Sequence, residues 1–180
     1  MHSLKPAILD KPLNYYVATT ANNFIKAINI PPRYFSNDIP SNPSGWRCLQ
    51  IGEDRYKQYV CLINSTIFYW LWKCSSDGFN LTTKFISTYA CLDNRFDSMC
   101  NIEKLFSELM LAFQENSEPH IRMQKTTGKT EIQLFRVKPL KPILDKVDYY
   151  IAFLLGLSEE ELDFIINYDI KYRMGDELNE

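Results

Sequence analysis

Apolar positions along this chain alternate in some stretches and recur at helical spacing in others. Tyr15-Tyr16-Val17-Ala18-Thr19-Thr20 is rich in strand formers, and Phe24 to Ile28 can pair with it across Ala21-Asn22-Asn23. Pro31-Pro32 ends that unit, because neither proline donates to a ladder. Ser36 to Gly45 is dense in Asn, Asp, Pro and Gly and reads as a loop. Trp46 to Ile51 alternates and predicts a strand stopped by Gly52. Tyr56, Tyr59, Val60 and Ile63 then follow i, i+3, i+4, i+7, which predicts a helix. Asn64-Ser65-Thr66 breaks it, and a very apolar helix resumes from Ile67 to Cys74, closed by Asp77-Gly78. Phe79 to Ile86 reads as a loop leading into a short helix.

The second half is more regular. Ile102, Leu105, Phe106, Leu109, Met110 and Phe113 share one helix face, with Asn101 placed as its N-cap. Ile121 to Lys125 and Glu131 to Val137 flank Thr126 to Thr130, a hairpin with Gly128 in the turn. Pro139 and Pro142 precede a helix whose stripe runs from Ile143 to Leu155, and Gly156 stops it. Ser158 with Glu161 has the form of a capping box opening a last helix, with Leu162, Ile165, Ile166 and Tyr168 facing inward. The elements sum to an α+β fold: antiparallel strands and hairpins packed with four or five helices. No repeat or linker divides the chain, so 1–180 reads as one domain, with a body over 14–157 and a capped acidic helix over 158–175.

Composition narrows the chemistry. The 180 residues are 46% hydrophobic and 23% charged, as expected of a globular domain. The only histidines are His2 and His120, which argues against a His-containing triad or a multi-His metal centre. Five cysteines without C-x-x-C spacing read as free thiols in a reducing, cytoplasmic setting. No apolar run is long enough for a membrane span, and the start lacks the apolar segment of a signal peptide. The net charge of −2 is unevenly spread: Ser158 to Glu180 holds two basic and eight acidic residues, whereas Ile121 to Lys146 holds seven basic and two acidic. Asp169-Ile170-Lys171 has a nuclease-like D-x-K form but no metal-binding Asp on a preceding strand.

Two segments resemble a known family. Leu62-Ile63-Asn64-Ser65-Thr66-Ile67-Phe68-Tyr69-Trp70-Leu71-Trp72, followed by Ser76-Asp77-Gly78-Phe79-Asn80-Leu81, resembles the target-recognition part of N6-adenine DNA methyltransferases. The likeness is greatest to the single-chain restriction–modification enzymes of type IIG or IIS, which carry an L-N-S-S-L-F-Y-W-Y-W run and then an S-D-G/C-x-x-L turn. Glu161 to Gly175 is similar to the extreme C-terminus of the same enzymes, and the resemblance spans Tyr15 to Gly175. Asn80 stands where the family often has a His. The family's N-P-P-Y motif and its Gly-rich cofactor loop are absent; the one Pro-Pro pair, Pro31-Pro32, follows Ile30. The resemblance therefore implies a non-catalytic target-recognition domain. Its partners would be double-stranded DNA and a methyltransferase domain or subunit. No cofactor is expected on this chain; S-adenosylmethionine belongs to the missing methyltransferase domain.

The candidate DNA contacts follow. Lys73, Ser75, Ser76, Asp77, Asn80, Thr82 and Lys84 form a polar loop after the aromatic helix, suited either to base edges and phosphates or to helix capping. Phe68 to Trp72 offers base-stacking platforms or, as a helix apolar all round, buried core. Arg122, Lys125 and Lys129, with Arg136, Lys138 and Lys141, either track a phosphate backbone or keep a hairpin soluble. Lys26 and Arg33 lie in a further candidate stretch, Lys26 to Ser44. The rival is a protein-interaction domain that docks onto a partner subunit through its acidic C-terminal helix.

Overall fold

A computed structural model describes residues 11–21, 23–43, 45–90, 102–125 and 128–175. The fold is α+β, with two antiparallel sheets and a layer of helices. The first sheet centres on β1 (Pro12–Ala18), which pairs along its whole length with β5 (Trp46–Gly52) and at its end with the two-residue β2 (Ala27–Ile28). The expected pairing of Phe24–Ile28 with β1 is thus limited to Ala27 and Ile28, with one further bond from Ala18 N to Lys26 O, and β5 is the main partner. Tyr15 and Val17 alternate inward from β1 and begin the core.

The second sheet has the order β4 (Ile39–Pro40), β3 (Tyr34–Ser36), β7 (Gly128–Phe135), β6 (Ser117–Gln124). Here the structure corrects the sequence reading: Ser36 to Gly45 is not all loop. Β3 (Tyr34–Ser36) and β4 (Ile39–Pro40) form a tight hairpin across Asn37 and Asp38, whose φ angles are +50° and +65°. Asn and Asp tolerate this left-handed region, which the commonest two-residue hairpin turn requires. Β6 (Ser117–Gln124) begins four residues before the expected Ile121 and includes Pro119. It is an edge strand, where a missing backbone donor is tolerated. Β7 (Gly128–Phe135) starts and ends earlier than the expected Glu131 to Val137, and it pairs with β3 as well as β6.

Among the described residues, seven α-helices carry most of the core. Α1 (Tyr56–Asn64) and α2 (Thr66–Ser75) meet at Ser65, as the Asn64-Ser65-Thr66 break predicts. Α3 (Thr83–Tyr89) is the short helix expected near Ile86, and α4 (Ile102–Glu115) has the expected buried stripe. The cap expected at Asn101 lies outside the described residues. Α5 (Lys141–Leu155) takes Pro142 into its first turn, where a missing N–H costs nothing, and ends at Gly156 with φ +73°. Α6 (Glu159–Asn167) opens with the Ser158–Glu161 capping box. The expected single last helix breaks at Tyr168–Asp169, where Asp169 has φ +56°, and resumes as α7 (Ile170–Met174). Asp169-Ile170-Lys171 therefore straddles a break rather than lying within a helix.

Helix α2 packs on α1, α5 and α6, so the most aromatic segment is central. Three polar side chains hold that centre together. Asn64, only 3% exposed, accepts from Ala27 N at 2.9 Å and donates to Ala27 O at 2.7 Å and Val60 O at 2.8 Å. Asp148 accepts from Thr66 N at 2.7 Å and so caps α2 from α5. Burial pushes its carboxyl up to about 6, against the pull of its bonds to Thr66. Arg173, 1% exposed, donates to Asn23 O at 3.0 Å and to the Thr66 hydroxyl at 3.2 Å. Its guanidinium lies 4.6 Å from the Phe24 ring centre and 4.8 Å from that of Tyr69.

Candidate nucleic-acid interface

The loop after α2 is anchored at both ends. Phe68, Tyr69 and Trp72 are buried, so this run serves the core rather than a stacking platform. Trp72 Nε1 donates to Asn80 O at 3.4 Å, Asn80 pairs with Thr20 in a β-bridge, and Leu81 N donates to Thr19 O at 2.9 Å. Arg47, which the sequence reading did not single out, donates to Leu81 O at 2.6 Å. The loop thus lies against the end of β1.

Within the loop the candidate side chains divide. Ser76 Oγ donates to Trp72 O at 2.6 Å, and Thr82 Oγ1 accepts from Phe85 N and caps α3. The Asp77 carboxylate accepts from Phe79 N at 3.0 Å and Asn80 N at 3.1 Å. Those two bonds hold its carboxyl below the usual carboxylate range. These three side chains shape the loop. Lys73 and Ser75 belong to α2 and Lys84 to the first turn of α3, not to the loop as expected; Ser75, Asn80 and Lys84 point into solvent, and among the described residues no side-chain hydrogen bond engages them. Lys73 Nζ lies 5.8 Å from the Trp72 ring centre. Phe79, 63% exposed, stands beside Asn80 at the loop tip.

The basic hairpin is a separate surface. Arg122 and Lys125 are exposed near its tip, and Arg122 lies opposite Thr130. Lys129 is bound instead: its Nζ lies 2.6 Å from Asp38, which raises its pKa, and its backbone exchanges bonds with Asn37. A Cβ at Gly128 would lie 2.4 Å from Asn37 Oδ1, and its φ is +74°, so the hairpin tip closes on the β3–β4 turn only with glycine there. Arg33 is exposed at the start of β3, beside Glu118 and Glu131. Lys26 is largely buried and faces a different cavity, apart from both surfaces. The twelve candidates therefore fall into four places, of which the loop after α2 gathers the most.

Other chemistry is sparse. Cys61 is buried, and burial pushes its thiol up to about 12, while Cys48 and Cys74 are exposed and free. Among the described residues, no group of three or more His, Cys, Asp or Glu side chains converges to hold a metal, and no helix is long and apolar enough to cross a membrane. Comparison with protein families, with curated proteins and with solved structures gave no match.

Proposed function

We propose that this chain is a DNA sequence-recognition domain, non-catalytic on its own, that works beside an adenine methyltransferase domain or subunit of a restriction–modification system. The observation that carries the reading is the stretch 75–84, from the last residue of α2 through the loop to the first turn of α3. Its backbone is fixed by Trp72, Asp77 and Thr82, while Ser75, Asn80 and Lys84 stand outward with no bond to their side chains among the described residues. Base readout needs polar groups held in place but not already satisfied. Arg122 and Lys125 add exposed positive charge suited to phosphates. S-adenosylmethionine and methyl transfer belong to the partner domain, where the target base would be flipped.

The test is selection from a pool of random duplexes by the full chain. The wild type is expected to enrich a defined sequence. Asn80→Ala should lower affinity for it by about 1–3 kcal/mol and leave binding to random duplex unchanged. Asp77→Ala should blur the preference by loosening the loop, with a parallel loss of protection at the Phe79 and Asn80 amides. Enrichment that is identical in Asn80→Ala would exclude this loop as the reader.

A second reading rests on a different surface. Phe164 is exposed, at 60%. An apolar groove of about 310 Å³ runs between Trp70, Leu157, Phe164 and Ile165, rimmed by Glu160 and Glu161. Such a patch suits a protein partner with an apolar face and basic edges. A chain that enriches no sequence at all would favour this reading.

A further inference from the structure

A cavity of about 410 Å³ lies where the turn before β2, the end of β7 and α7 meet. Four basic side chains line it, Lys26, Arg136, Lys138 and Arg173, and none of its described lining residues is acidic. Their states differ. Arg173 is clamped between two rings, and Lys138 Nζ is steered by Met174 O at 2.6 Å. Arg136 engages Glu118 through Nε and Nη2, which leaves Nη1 outside that ion pair.

Lys26 is the telling residue. It is largely buried, burial alone lowers its pKa, and among the described residues no hydrogen bond or ion pair compensates its ammonium. Desolvating an ammonium without a compensating partner is unfavourable for the fold. An anion entering the cavity would supply the partner that the Lys26 ammonium lacks among the described residues. The opposite wall is apolar, formed by Phe24 and Val137 among others. The volume lies in the range of small-molecule sites and exceeds what a bare phosphate fills. Converging Lys and Arg donors match the acceptor oxygens of phosphate, and the apolar wall gives a place for a sugar or ring.

We propose that this cavity binds a phosphate group carried on a body of about nucleotide size, with Lys26 and Arg136 as its direct partners. The inference goes beyond the recognition reading and does not depend on it. The shared chemistry is a nucleotide phosphate, which either a free nucleotide or a strand of DNA can supply.

The experiment uses the full chain with a 5′-mononucleotide, the same nucleoside without phosphate, inorganic phosphate and a duplex oligonucleotide. Calorimetry and thermal unfolding are read together. The nucleotide is expected to bind and to raise the unfolding temperature, the nucleoside to do neither, and inorganic phosphate to bind more weakly than the nucleotide. Lys26→Met should weaken nucleotide binding roughly tenfold or more, the scale of one lost charge-assisted bond. It should also raise the unfolding temperature of the unliganded chain, because it removes an uncompensated cation. Lys104→Met, on an exposed face of α4, should bind the nucleotide like the wild type. If Lys26→Met fails to fold, Arg136→Gln on an exposed side chain carries the same expectation of weakened binding. Competition between duplex and nucleotide would identify DNA as the source of the phosphate, and its absence would identify a free nucleotide. Equal binding of nucleotide and nucleoside, or wild-type affinity in a folded Lys26 or Arg136 variant, overturns the proposal. Sequence enrichment is scored in a separate measurement, so the cavity and the loop can fail independently.

Discussion

Asn64→Ala is expected to destabilise the protein by about 3–5 kcal/mol, measured as a shift of the urea midpoint at constant slope. The side chain does the work of a neighbouring strand. It accepts from the Ala27 amide and donates to the Ala27 carbonyl, so one rung of a ladder is made by an amide group on a helix. Ala27 is wholly buried, and truncation leaves both its backbone groups without partners. Two orphaned groups cost about 1–3 kcal/mol each, more than the few carbon atoms lost. Asn64→Asp keeps the shape but loses the donor and buries a charge, so it should be at least as damaging. Faster amide exchange at Ala27 and Ile28 should accompany both. A loss under about 1 kcal/mol would mean that solvent reaches β2 and that the side chain is dispensable.

Arg173→Ala should cost a similar amount, about 3–5 kcal/mol, because it removes one partner from a buried polar assembly. The guanidinium joins the turn before β2 to the start of α2, and its charge is drawn to Asp148 with the Thr66 hydroxyl between them. Lysine is no substitute, since it cannot lie flat between Phe24 and Tyr69 and bond both oxygens. Arg173→Lys should therefore recover only part of the loss. The deficit should also depend on pH. Burial raises the Asp148 carboxyl to about 6, above its ordinary value, so the folded state favours the protonated form. That contribution is fully present below about pH 4 and is lost as pH rises through 6. Without Arg173 the ionised form is opposed further, so the variant's deficit should be larger at pH 7.5 than at pH 4.5. An equal deficit at both values would show that Asp148 does not sense the arginine.

The elements most legible in the sequence were those with long apolar periods or strong punctuation. The break at Asn64-Ser65-Thr66, the Ser158–Glu161 box and the stop at Gly156 are written in residue types whose chemistry acts locally. The β3–β4 hairpin was not, because its strands are three and two residues long and its turn formers resemble those of a loop. Its stability comes from β7, about 100 residues away, and no local pattern records that pairing. The loop after α2 was readable as polar and exposed. Which of its side chains are occupied was not, since Asp77 and Thr82 turn inward to backbone amides while Asn80 does not. The cavity was hidden more deeply. Its four cations are scattered from position 26 to position 173, and only the tertiary fold gathers them.

Arg173 also sets an order in time. Its bond to Asn23 joins positions 150 residues apart. A ribosome adding about 5–20 residues per second needs roughly 8–30 s to travel that distance. Throughout that interval the turn before β2 has been made, but the guanidinium that covers the faces of Phe24 and Tyr69 has not. Over that interval Phe24, and Tyr69 once it is made, wait for the cation that covers them, and chaperones that bind exposed aromatics have an opportunity there.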